Sequence, residues 1–174
     1  TGNIEMKLHE ASAMVYIGNS LIKFSPISIQ PFVTTALDSA MLLALNDSFI
    51  GGTGVGQPLG VLNAPCLVTI TKETGQAADT IEYPNILKMF AQHYGRNKEF
   101  YANETTVPEL GQMTIPGGTS AVPVFLPMGG AAAKPYDTLM GRPLYFSEYC
   151  SIVGDKGDIM LCDWSQYLVG KFAS

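Results

Sequence analysis

The feature that most constrains this chain is a long helix-forming stretch that runs straight into a glycine-rich strip. Ser25 to Ile50 reads S-P-I-S-I-Q-P-F-V-T-T-A-L-D-S-A-M-L-L-A-L-N-D-S-F-I, and Gly51 to Leu62 reads G-G-T-G-V-G-Q-P-L-G-V-L. The first part predicts a helix of about twenty residues, roughly 30 Å long at 1.5 Å per residue. Ser28 can serve as its N-cap, and Pro31 falls in the first turn, where a missing N–H is harmless; Gly51-Gly52 would end it. Ile29, Phe32, Val33, Ala36, Leu37, Ala40, Met41, Ala44 and Leu45 recur at three-and-four spacing. Phe32, Val33, Leu37, Met41 and Leu45 form the expected core stripe of this helix. Ala40 to Leu45 is apolar all round, so the helix should be covered on more than one side. On that reading Leu43→Asp buries an unpaired charge and destabilises the chain by several kcal/mol. A buried helix leading into a stiff turn of Gly52, Gly54, Gly56, Pro58 and Gly60 suggests a support between two lobes.

A chain of 174 residues fits one domain or two small lobes. Only 14% of residues are charged, against about 25% in ordinary soluble domains. Such a surface favours a protein that buries its outside against partners, although a large core would have the same composition. The net charge of −5 and the scattered basic residues argue against binding phosphate backbones, which needs clustered Lys and Arg. Cys66, Cys150 and Cys162 match neither a disulfide framework nor a zinc pattern, so reduced thiols are expected. With no signal segment and no run of 18 apolar residues, the expectation is a soluble, cytoplasmic protein without membrane partners.

Along the chain, Ile4 to Ile17 alternates loosely and reads as one or two short strands, and Cys66 to Thr71 as another. A second helix is expected from Tyr83 to Tyr94, with Ile86, Leu87, Phe90 and Tyr94 on one face and Gly95 ending it. Glu99 to Ala102 predicts a buried strand and Val107 to Leu110 the start of a short helix. Thr114 to Pro135 is rich in Gly, Pro and Ala around one apolar strand, Val122 to Leu126. Leu144 to Tyr149 and Ile159 to Leu161 predict two further strands. Irregular interleaving of strands and helices points to an α+β fold rather than a doubly wound sheet.

Chemistry is sparse. Gly52-Thr53-Gly54-Val55-Gly56 invites a nucleotide-loop reading, but the dinucleotide fingerprint follows a strand and opens a helix, and this strip follows a helix. A structural turn is the better reading, and no cofactor is expected. His9 and His93 are the only histidines, and neither has a cysteine near it in sequence. A triad assembled across the fold would make the chain a small hydrolase using a serine with His93 or His9, but no G-x-S-x-G elbow is present. Asp155, Asp158 and Asp163 lack the spacing of a calcium loop, so no metal site is expected.

Four segments, in order, resemble the major capsid proteins of tailed bacteriophages with the Hong Kong 97-type fold. They are the helix running through Gly52-Thr53-Gly54 into Gln57-Pro58-Leu59-Gly60-Val61-Leu62; the strand-then-helix Glu99 to Leu110; Thr138-Leu139-Met140-Gly141-Arg142-Pro143-Leu144 followed by Ser147-Glu148; and Gly157-Asp158-Ile159 through Asp163, Ser165 and Tyr167-Leu168. The resemblance covers about Leu8 to Phe172. It implies a non-enzymatic structural subunit of an icosahedral phage or prophage head that assembles with its own copies into pentamers and hexamers around packaged DNA. Scaffolding or head-maturation proteins would be further partners, and the locations would be host cytoplasm during assembly and then the virion. Residues 1–50 would belong to the peripheral lobe with its spine helix, 51–62 to the turn between lobes and 63–174 mainly to the axial lobe. By position, Val124, Phe125, Leu126, Met128 and Arg142 would be candidates for the contact between subunits. An encapsulin-like compartment shell is the alternative within the fold. Relatives usually carry an N-terminal arm, an extended hairpin and C-terminal peripheral strands, so the chain reads as a fragment that would not close into shells by itself.

Overall fold

The computed structural model describes residues 6–24, 28–115, 122–127 and 136–170. It divides into two compact units, one reaching to Pro65 and taking in Gly170, the other spanning Cys66–Val169.

The first unit is built on helices. Residues 6–18 form no regular element, which corrects the expectation of strands there: the described part has no ladder partner, and Met14 and Tyr16 stand in solvent. Alternation suggests a strand, but only pairing makes one. A short helix, α1 (Asn19–Phe24), precedes the long α2 (Gln30–Gly51). Ile29, not Ser28, occupies the N-cap position of α2. Its carbonyl already accepts the Val33 N–H at 3.1 Å, so the helical ladder starts one residue later than the hydroxyl would dictate. Pro31 sits in the first turn as expected.

The glycine strip is a closed loop at the C-terminal end of α2. Gly52 N–H donates to the Ser48 carbonyl at 2.9 Å, and Gly60 N–H returns to the Gly52 carbonyl at 2.8 Å. Thr53 and Leu59 form a bridge between these ends. The Asn63 amide, in a 3-10 turn (Val61–Asn63), donates to the carbonyls of Gly51 and Gly52 at 2.9 and 3.1 Å. Carbonyls left over at the helix end are thus satisfied. Gly54 and Gly56 both have positive φ, +77° and +70°. Gly54→Ala should therefore cost on the order of 1 kcal/mol, read as a lowered melting temperature. A melt equal to wild type would show that the loop relaxes freely.

The second unit is a mixed sheet covered on one face by helices. Its elements are α3 (Tyr83–Gln92), β1 (Glu99–Ala102), α4 (Val107–Gln112), β2 (Thr114–Ile115), β3 (Val122–Pro123), β4 (Phe125–Leu126), β5 (Asp137–Leu139), β6 (Arg142–Phe146) and β7 (Ile159–Cys162). Five strands lie in the order β4-β5-β6-β1-β7; β1 runs parallel to β6, and the other neighbours are antiparallel. β2 and β3 form a separate two-stranded ribbon. Phe100, Ile86, Leu110, Leu139 and Leu144 are fully buried between the sheet and the two helices. The register sets Phe100 against Leu144 on one side and Leu161 on the other, which places the three on one face.

Several expectations for this unit need correction. Cys66 to Thr71 forms no strand: Cys66 lies in a turn and the residues after it are unpaired, because β-branched composition supplies no partner. α3 ends at Gln92, and Tyr94 is 95% exposed rather than on the packed face. Tyr83, Ile86, Met89 and Phe90 make that face instead. Val122 to Leu126 is two strands rather than one. The chain breaks at Val124, so β3 joins the ribbon while β4 joins the main sheet. β6 begins at Arg142, two residues early, because Met140-Gly141 is a tight turn with φ of +50° and +75°. Two consecutive positive φ values suit the twist of a two-residue hairpin.

Candidate assembly surface

α2 is the most unusual surface of the molecule. Phe32 is 76% exposed, Leu42 60% and Leu43 53%. Met41 is exposed, while Val33, Leu37 and Leu45 are only half-buried. Among its residues only Ser48 and Ile50 are buried. The burial expected for Phe32, Val33, Leu37, Met41 and Leu45 is therefore not found among the described residues. The large loss of stability expected for Leu43→Asp is corrected with it, since an exposed carboxylate stays hydrated. Apolarity all round the helix is thus not matched by cover among the described residues.

The polar residues of α2 do little to make it a water-facing helix. Thr34 and Thr35 hydroxyls each donate to the carbonyl four residues back, at 2.9 Å, and the Ser48 hydroxyl does the same to Ala44. Those hydroxyls are turned onto the helix itself. Asp38 and Asp47 are its only charged residues, and both are acidic. A solvated helix of this length ordinarily carries many charges of both signs.

The glycine loop offers no anion site. It lies at the carbonyl end of α2, the negative end of the helix dipole. The Gly52 and Gly60 amides are already spent on backbone carbonyls. That arrangement fits a structural turn.

The residues expected by position at a subunit contact are separated. Val124 is 6% exposed and belongs to the unit's own core, with Phe125 packed against it. Leu126 pairs with Thr138 in the sheet. Arg142, half-buried, pairs with Leu139. Met128 lies outside the described residues. Val124 is therefore corrected to a packing residue, because the break that sends β3 and β4 to different sheets turns its side chain inward.

On the opposite face of the sheet from the helices runs a strip of aromatic rings that sequence reading missed. Tyr101 and Tyr145 are register partners with ring centroids 5.5 Å apart. Trp164, in a 3-10 turn (Trp164–Gln166), meets Tyr101 edge-on at 5.8 Å and Tyr167 at 5.7 Å. Burial and the Glu99 carboxylate that accepts the Tyr101 hydroxyl at 2.9 Å push that phenol upward. Period-two spacing in β1 and β6 was the available signal. Asn103 was missed as well. Its amide donates to the Cys150 carbonyl at 2.7 Å and its side-chain oxygen accepts the Thr105 N–H, tying the end of β1 to a loop 47 residues away.

His9 is exposed in residues without regular structure. His93 Nδ1 accepts the Gly95 N–H at 2.9 Å, so the neutral ring carries its proton on Nε2. All three cysteines are free thiols. Burial pushes Cys150 up to about 11 and Cys162 up to about 12, so both stay protonated. Among the described residues no group of three or more His, Cys, Asp or Glu could hold a metal ion. No described helix is long and apolar enough to cross a membrane.

The described residues thus form an α+β chain whose longest helix exposes much apolar surface. The family model described as the phage capsid family matches residues 1–173, and the chain belongs to that family. No individual curated protein and no solved structure matches it. Its role is accordingly that of a structural protein of the phage capsid.

Proposed function

We propose that the chain is a major capsid subunit with the Hong Kong 97-type fold, assembling with its own copies into the pentamers and hexamers of an icosahedral head. The exposed apolar surface of α2 carries this reading. Covering a leucine or phenylalanine there with a neighbouring subunit is worth about 1.5–3 kcal/mol per side chain. A closed shell with point-group symmetry supplies such cover to every copy alike. In this reading α2 is the spine of the peripheral lobe, the loop from Gly51 to Leu62 leads out of it, and the sheet unit is mainly the axial lobe. Phe125, Leu126 and Arg142 remain candidates for contact at the axis. Copies meet in the host cytoplasm and persist in the virion, with scaffolding or maturation proteins as transient partners.

The test is a pair of substitutions on the exposed helix. Phe32→Asp with Leu43→Asp should leave the subunit's melting temperature within about 3 °C of wild type, since both sites face solvent. The same protein, expressed from its complete gene, should lose its large particles by light scattering. A variant that scatters like wild type would remove α2 from the assembly.

A further inference from the structure

The C-terminal end of α3 is closed by a small electrostatic knot. Gly95 N–H donates to His93 Nδ1 at 2.9 Å, and Asn97 N–H to an Asp163 carboxylate oxygen at 3.3 Å. Lys98 Nζ donates to the Phe90 carbonyl at 3.2 Å and lies 4.4 Å from the centre of the Phe90 ring. Gly95 is buried so tightly that a Cβ on it would lie 2.5 Å from both His93 Cε1 and Asp163 Oδ2. Asp163 also accepts the Ser165 N–H at 3.1 Å and its hydroxyl at 2.5 Å. It therefore fastens the turn between residues 93 and 98 to the 3-10 turn that carries Trp164. The Gly95 bond lasts only while His93 can accept a hydrogen bond.

We propose that His93 is an acid-switched latch: a proton taken up on Nδ1 expels the Gly95 N–H, so that the turn between α3 and β1 exchanges an internal hydrogen bond for a charged tie from His93 to Asp163 on the Trp164 turn. A protonated imidazole has two donors and no acceptor, so the Gly95 bond cannot survive. The new cation stands near Lys98, at the start of β1, and near Asp163, which caps the Trp164 turn. Asp163 is the carboxylate that can receive the new N–H, and it already holds Asn97 and Ser165. Because Asp163 caps the turn that carries Trp164, the new charged contact changes the surroundings of that indole.

Burial, followed by the Lys98 charge, holds His93 below the usual imidazole range, while Asp163 pulls the other way. The folded chain thus binds this proton less readily than the unfolded chain. Stability tied to the neutral ring is complete above an ordinary pKa of about 6.5 and is lost as the pH falls through the lower folded value. Trp164 is the chain's single tryptophan, so its emission reports on the latch directly.

The experiment is a titration of the whole chain from pH 7.5 to 4.5, following Trp164 fluorescence and exchange of the Gly95 amide. Wild type should show one transition below pH 6.5, with Gly95 exchange, corrected for intrinsic rate, rising by about tenfold or more. His93→Gln keeps an acceptor that does not titrate and should abolish the transition. Lys98→Met should move its midpoint upward, which keeps the test sound if the first variant folds poorly. His9→Gln should leave it unchanged. No transition in wild type, an unaltered one in His93→Gln, a midpoint unmoved or lowered in Lys98→Met, or loss in His9→Gln would each overturn the latch.

Discussion

Phe100→Ala should lower the stability of the Cys66–Val169 unit by about 3–5 kcal/mol, as large aromatic truncations in packed cores do. Phe100 is 0% exposed. Its strand neighbours Leu144 and Leu161 flank it in register, while Ile86 and Leu110 close over it from α3 and α4. Both flanking strands, β6 and β7, therefore border the cavity that would be left. With each kcal/mol shifting the melting temperature by about 4–8 °C in a unit of roughly this size, a fall of more than 12 °C is expected in thermal denaturation. A shift under about 3 °C would show that the sheet and helices repack, and that Phe100 is not the centre of the core.

Gly60→Ala should disrupt the loop after α2 by about 3 kcal/mol, the upper end for overpacking, although alanine is the smallest possible addition. A Cβ at Gly60 would lie 2.5 Å from the Gly52 nitrogen and from the Ile50 carbonyl oxygen. Both are backbone atoms at the end of a helix, so neither can swing aside. Relief requires breaking the Gly60 to Gly52 hydrogen bond at 2.8 Å and releasing Asn63 from the two carbonyls it holds. Amide exchange at Gly60 should accelerate along with a drop in melting temperature. Unchanged protection at that amide would mean that the close approach of the two glycines is not what holds the loop.

Local patterns carried much of this architecture in the sequence, and the failures share a cause. α2, α3, α4, β1 and β7 were legible because helical spacing and short apolar runs are written within each segment. The stretches 6–17 and Cys66 to Thr71 were misread as strands because a strand depends on a partner the segment does not encode. Val124 was misplaced because a single break sends its two neighbours to different sheets. The knot around Asp163 was invisible for a similar reason: Asn97 and Asp163 meet across 66 residues. Burial of α2 was expected because Ala40 to Leu45 is apolar all round, a pattern that does not say which chain provides the cover. The family was legible from four ordered motifs, each short and none of them chemical.

Negative-stain electron microscopy of the protein expressed from its complete gene tests the central claim most directly, with Phe32→Asp/Leu43→Asp beside wild type. Wild type should give closed shells of uniform diameter. The variant should give folded subunits and no shells, because it puts two carboxylates where neighbouring copies must exclude water. Shells of equal number and size from the variant would contradict the account, as would a wild-type protein that stays dispersed at every concentration tried.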